Sequence, residues 1–302
     1  MTAVIVEEGP DRGAIWHFGE PNREQRALAD GTAWSDLSHK SVLTVTGEDR
    51  LKWLNDLTTQ ELVNWKSNEW TSALILDAQG HINHQIFLMD DGTTTWIFTE
   101  QDKEEELITF LNKMVFMLRV EPKVVTSDFK VIKTTGKTDR FGGPYKIFKR
   151  SENISENGTQ VGTWALEAER VAQGRARLLF ETDHKSIPNE LNFLNNAVHM
   201  RKGCYPGQET VAKVFNLGQP PRRLVLLHLD GTEIDLPKHG EKIYLASDET
   251  KEKEIGYIGT VARHYELGPI APAVGKRNVP LDETLIAGAV LATQEAPLPS
   301  NS

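Results

Sequence analysis

The chain has 302 residues, 39% of them hydrophobic and 25% charged, with a formal net charge of -9. This length implies two or three domains and a sizeable core, and no apolar run approaches the roughly 20 residues of a membrane span. The excess of carboxylates argues against a protein that wraps nucleic acid, which needs many clustered Lys and Arg side chains. Residues 1–10 carry Glu7 and Glu8 rather than a basic segment followed by an apolar one, so no secretory signal is expected. The single cysteine, Cys204, cannot form an internal disulfide. A soluble cytoplasmic protein is therefore expected.

In chain order, residues 1–33 read as an N-terminal extension. Val42, Leu43 and Val45 then mark a strand over 41–46, and Gly47 opens a helix with Leu51, Leu54 and Leu57 at helical spacing. Strands over 70–77 and 81–89 flank a turn at Asp77-Ala78-Gln79-Gly80, and Asp91-Gly92 signals a second hairpin before 93–99. Residues 101–117 return to helical period, with Leu107, Phe110, Leu111 and Met114 on one face, and 124–134 reads as strand. Strand, helix, strands, helix, strand is the order of a ferredoxin-like α+β unit.

Residues 139–162, rich in Gly, Ser, Asn and charge, read as a surface excursion, 164–167 as a strand and 189–196 as a short helix. Pro220-Pro221 reads as a domain boundary. Beyond it, apolar strands over 223–229, 242–246, 255–263 and 285–292 are separated by Gly, Pro and Asp clusters, the pattern of a small β-barrel or sandwich. The expected division is thus an α+β region over 34–221 with two lobes split near 125–160, a β-barrel over 222–293, and a frayed tail over 294–302 that holds Pro297 and Pro299.

The chemistry concentrates in residues 202–209. Gly203 and Gly207 permit backbone angles closed to other residues and Pro206 fixes its own φ, so a tightly shaped loop presenting Cys204 is expected. A thiol of ordinary pKa is only about 3% thiolate at pH 7, and neighbouring positive charge raises that fraction. Arg201 and Lys202 are placed in sequence to supply it, within a basic island of Arg201, Lys202, Lys213, Arg222 and Arg223 against Glu209 alone. Such an island suits a small anionic ligand or a solvated surface.

The run Lys202-Gly203-Cys204-Tyr205, with Gly207-Gln208-Glu209 after Pro206, resembles the signature of the YgfZ-type folate-binding proteins, relatives of the glycine-cleavage T protein. The resemblance extends through Asp36-Leu37-Ser38-His39, Arg170-Val171-Ala172-Gln173-Gly174 and Gly256-Tyr257-Ile258-Gly259-Thr260-Val261, and covers residues 34–277. It implies α+β lobes around a central channel that holds tetrahydrofolate, a C-terminal β-barrel, and a role in maintaining iron-sulfur enzymes. Cys204 and Lys202 are then the catalytic candidates. Trp164, Arg170, Arg201, His84 and Gln208 are the folate-binding ones: an aromatic face for the pterin, cations for the glutamate tail, and polar side chains beside them.

The sequence departs from the aminomethyltransferase pattern in one telling place. That pattern carries an aspartate pair after a Gly turn, where Gly80-His81-Ile82-Asn83-His84-Gln85 here offers histidine and glutamine. An accessory protein of iron-sulfur cluster assembly or repair, with iron-sulfur enzymes as clients, is therefore the first expectation. A tetrahydrofolate-dependent aminomethyltransferase is the alternative. No close ligand spacing among His184, His199 and Cys204 suggests a metal, and none is expected.

Overall fold

The computed structural model describes residues 2–232 and 235–296. A short antiparallel hairpin, β1 (Val4–Ile5) and β2 (Ile15–His17), opens the chain and carries Asp11 in its loop. Helix α1 (Pro21–Ala29) follows, started by a proline in its first turn and burying Leu28, and leads into β3 (Ala33–Asp36).

The first large sheet is built from β4 (Ser41–Thr46), β5 (Thr71–Leu76), β6 (Ile82–Asp90), β7 (Thr94–Thr99) and β8 (Glu121–Val124), in the order β5-β6-β7-β4-β8 with antiparallel neighbours. Helix α2 (Arg50–Leu57) lies between β4 and β5 in sequence, and α3 (Glu104–Lys113) between β7 and β8. Both cover one face, where Leu54, Leu57, Leu107 and Leu111 pack with Val45, Ile75, Ile86 and Leu88. The opposite face carries Val42, Phe87 and Phe98 against Val131 and Tyr145 of the next sheet. Burial on both sides explains why β5 has no exposed position.

The second sheet has the order β10-β9-β3-β11, from β9 (Phe129–Lys133), β10 (Tyr145–Lys149) and β11 (Thr159–Gln160) together with β3. The region expected as a surface excursion over 139–162 thus contributes two paired strands, and Phe141 and Gly142 of its turn line a cavity. The strand expected at 164–167 is instead the start of α4 (Thr163–Ala172). Ala165, Ala168 and Val171 are its buried face, a three-residue spacing that a four-residue window misreads as extended. Two 3-10 turns, Pro188–Glu190 and Phe193–Asn195, stand where one short helix was expected.

Helix α5 (Gln208–Leu217) was not anticipated; it starts from Gly207, whose φ of 77° is left-handed. The C-terminal strands are β12 (Arg222–Leu229), β13 (Lys242–Leu245), β14 (Gly256–Ile258), β15 (Ala262–His264), β16 (Gly268–Lys276), β17 (Leu285–Ala287) and β18 (Val290–Glu295). They run β12-β18-β17-β13-β14-β16, and β16 pairs back with β12, closing a six-stranded barrel with β15 attached outside the ring. The expected α+β body with a C-terminal β-barrel is the architecture observed. Gln294 and Glu295, expected in the tail, pair with Leu227 and Leu226 in the barrel wall, and residues 297–302 lie outside the described residues. No helix among the described residues is long and apolar enough to cross a membrane.

Candidate functional site

Two cavities adjoin, sharing Asp11, Thr163 and Glu167 as a common wall. The first, of about 110 Å³, takes lining residues from both large sheets, α4 and the 193–197 turn. The second, of about 520 Å³, lies between the N-terminal hairpin, the start of α4 and the barrel. The larger has the volume of a small-molecule pocket, and the smaller carries most of the charge.

A chain of buried ion pairs runs through the shared wall. Arg177 grips Asp11 with both terminal nitrogens at 2.8 and 2.6 Å and Glu100 at 2.9 and 2.7 Å, and reaches Glu167 at 3.1 Å. Lys40 meets Glu100 at 2.6 Å, and Arg170 links Glu167 to Glu181 of the segment that touches the barrel at Thr260. Burial raises the Glu100 pKa, but the Arg177 and Lys40 cations more than offset it and hold the carboxyl at about 2. Burial pulls the His39 imidazole below its ordinary value, and because the Asp11 carboxylate can only accept, it is the Nε2–H that donates to it at 2.9 Å. His39 Nδ1, Ser72 Oγ and Asn196 Oδ1 are buried without a partner, and all three residues line the first cavity.

The expected site residues separate into four places. Trp164 lines the second cavity, its ring 4.8 Å from that of Trp16, so the pair forms one aromatic wall. Arg170 lines the first cavity, but its guanidinium is already bonded to Glu167, Glu181, Thr260 and the Arg175 carbonyl. His84 points away from both cavities. Strand alternation on β6 puts it on the helix-covered face near Phe110, and aims the next residue, Gln85, into the first cavity, where its Oε1 accepts from the Leu178 amide at 3.0 Å.

Arg201, Lys202 and Cys204, with Gln208 at the start of α5, form the fourth place, a loop and helix start that line neither cavity. Lys202 was expected to activate Cys204. Its ammonium is instead spent on the end of α2, donating to the carbonyls of Asn55, Thr58 at 2.6 Å and Gln60 at 3.1 Å. The last turn of a helix leaves carbonyls without intrahelical partners, and a buried three-donor ammonium answers them. Burial lowers its pKa to about 8, so it keeps its charge at neutral pH. Cys204 is exposed, Arg201 is exposed, and the Gln208 side chain reaches the Lys202 carbonyl only at 3.5 Å. Gly207 and Gly80 seat this loop on the β5–β6 turn: a Cβ on Gly207 would stand 2.6 Å from the Asp77 carbonyl oxygen.

Sequence reading missed Asp11, Glu100, Arg177 and Lys133. The available signal was Lys133 itself, a cation closing the apolar run Val131-Ile132 in a strand. Among the described residues no three His, Cys, Asp or Glu side chains converge in a way that would hold a metal ion.

No family model matches the chain. It is 22% identical over 253 residues to the iron-sulfur cluster assembly factor IBA57 homolog, mitochondrial, of Mycosarcoma maydis, covering 71% of this chain and 62% of that relative, less than two thirds of its length. It is 24% identical over 266 residues to the tRNA-modifying protein YgfZ of Aliivibrio fischeri (strain MJ11), covering 76% and 80%. The fold matches the crystal structure of the glycine cleavage system aminomethyltransferase T from Bartonella henselae with a TM-score of 0.76 over 99% of this chain and 94% of that one, at 13% identity.

Proposed function

For a chain that is a YgfZ-type relative with the aminomethyltransferase fold, we propose a folate-binding accessory role in iron-sulfur cluster assembly or repair. The observation that carries this reading is the pair of adjoining cavities at the junction of the lobes, one with an aromatic wall and one with unpartnered polar atoms. The residues fit a reduced folate. Trp164 and Trp16 offer a face to a planar ring, while Ser72, Asn196 and His39 offer unused hydrogen-bonding capacity. When bound, a reduced folate supplies a one-carbon carrier. The chain's own part is to hold it, to shield it from water, and to keep the wall charges fixed through Arg177, Asp11 and Glu100.

Cys204 serves a different surface in this reading. Exposed on a loop seated by Gly207 and lining neither cavity, its thiol is accessible to a client protein rather than to the ligand inside. Titration with 5-formyltetrahydrofolate should quench the tryptophan fluorescence of the full chain, and Trp164→Ala should weaken binding about tenfold. Cys204→Ala should bind as the parent does yet fail to restore iron-sulfur enzyme activity in a deletion strain. Absence of folate binding removes the ligand half of the proposal, and full restoration by Cys204→Ala removes the thiol.

A further inference from the structure

The charges around the first cavity do not cancel. Asp11, Glu100 and Glu167 are matched by Lys40, Arg170 and Arg177 in the buried chain of ion pairs. At the other end, Lys133, Arg140 and Arg175 also line the cavity, and Glu169 is the only further carboxylate in its wall. Glu169 accepts from Thr138 Oγ1 at 2.7 Å and Gln173 Nε2 at 3.3 Å, and its charge favours Lys133 and Arg175, as that of Asp139 favours Lys133, only from beyond ion-pair distance. Among the described residues none of these three cations forms an ion pair, whereas Lys40, Arg170 and Arg177 all do.

Lys133 makes the case sharpest. It is fully buried, and its ammonium reaches only the Thr134 and Gly136 carbonyls, at 3.5 and 3.4 Å. A buried charge without a close partner is costly unless the group gives up its proton or gains a counter-charge, and the carboxylate of a ligand would supply that counter-charge. Arg175 spends its Nε on Gln173 at 2.9 Å, and its Nη1 lies 2.7 Å from where a Cβ on Gly142 would stand. The missing side chain there leaves room for the guanidinium beside Tyr145. Exposed Arg140 is the outermost of the three.

We propose that Lys133, Arg140 and Arg175 form an anion subsite of the first cavity that takes the carboxylate of an organic ligand. Tyr145 and Phe98, with ring centroids 5.0 Å apart, continue the wall from this cationic end, so the favoured ligand carries its carboxylate on an aromatic-bearing arm. Burial already pulls the Lys133 pKa down, and a carboxylate beside it would hold it charged. The identity of the arm as the glutamyl end of a folate rests on the function proposed above. The subsite itself rests on the unmatched cations.

The full chain is titrated calorimetrically with p-aminobenzoylglutamate, 5-formyltetrahydrofolate, 6-methyltetrahydropterin, which has no carboxylate, and inorganic phosphate. Arg175→Gln and the surface variant Arg140→Gln, both checked for parental melting temperature, should each weaken the two carboxylate ligands about tenfold and leave the tetrahydropterin unchanged. Equal folate affinity in parent and both variants overturns the subsite and leaves the folate reading standing. Binding of p-aminobenzoylglutamate with the expected losses, but not of 5-formyltetrahydrofolate or the tetrahydropterin, upholds the subsite and overturns the folate reading. Phosphate binding as tightly as p-aminobenzoylglutamate, with the same losses, overturns the assignment to carboxylate.

Discussion

Lys202 and Cys204 stand two positions apart and make opposite predictions about stability. The ammonium satisfies three carbonyls at the end of α2, so Lys202→Met strands all three and should cost about 3 kcal/mol in urea unfolding, at roughly 1 kcal/mol per hydrogen bond. Cys204→Ala removes an exposed thiol and should stay within about 0.5 kcal/mol. His84 predicts the reverse sign. Its imidazole is 3% exposed on an apolar face, and its Nδ1 has no partner. Burial lowers its pKa from the ordinary 6.5, so the unfolded chain takes up the proton first and the fold loses stability as pH falls below that value. His84→Leu should therefore melt at or above the parental temperature at pH 7, and by a wider margin at pH 5.5.

At the scale of elements, the seating of the cysteine loop depends on two glycines in contact. Gly207→Ala meets both a left-handed φ of 77° and the Asp77 carbonyl, so it should destabilise by more than the roughly 1 kcal/mol of backbone strain alone and raise proteolysis within 201–207. Strands β4 to β7, α2, α3 and much of the barrel were legible in the sequence, because their apolar residues recur at period 2 or 3.6 and Gly or Asp punctuates them, whereas β8 ends where the strand expected over 124–134 begins, and that strand is β9 of the second sheet. What escaped was set by partners far along the chain. The β10 strand follows Gly142, Gly143 and Pro144 and exists through pairing with β9, and α4 hides its buried face behind small alanines at 165 and 168. The candidate site was legible as far as Trp164, an aromatic near the motif over 170–174 that lines the second cavity, and the glycine-shaped form of the cysteine loop. It was not legible at His84, where alternation on β6 assigns the cavity to the neighbouring residue, nor at Arg177, whose role depends on Asp11 and Glu100.

Across the whole molecule, the central ion pairs tie stability to pH. The Glu100 carboxyl is lowered from 4.5 to about 2 in the fold, so its contribution is complete above pH 4.5 and disappears as pH falls toward 2. Thermal melts over that range should show a steep acid loss, and Glu100→Gln should flatten it while lowering stability at pH 7, since Arg177 and Lys40 then lose a charged partner. The same pairs impose an order on assembly. Asp11 lies 166 positions before the arginine that grips it, so the hairpin that carries it finds that anchor only after the intervening residues have been made. The wall between the two cavities therefore cannot close before residue 177 has been made, and a nascent chain halted short of it holds an aspartate still waiting for its arginine.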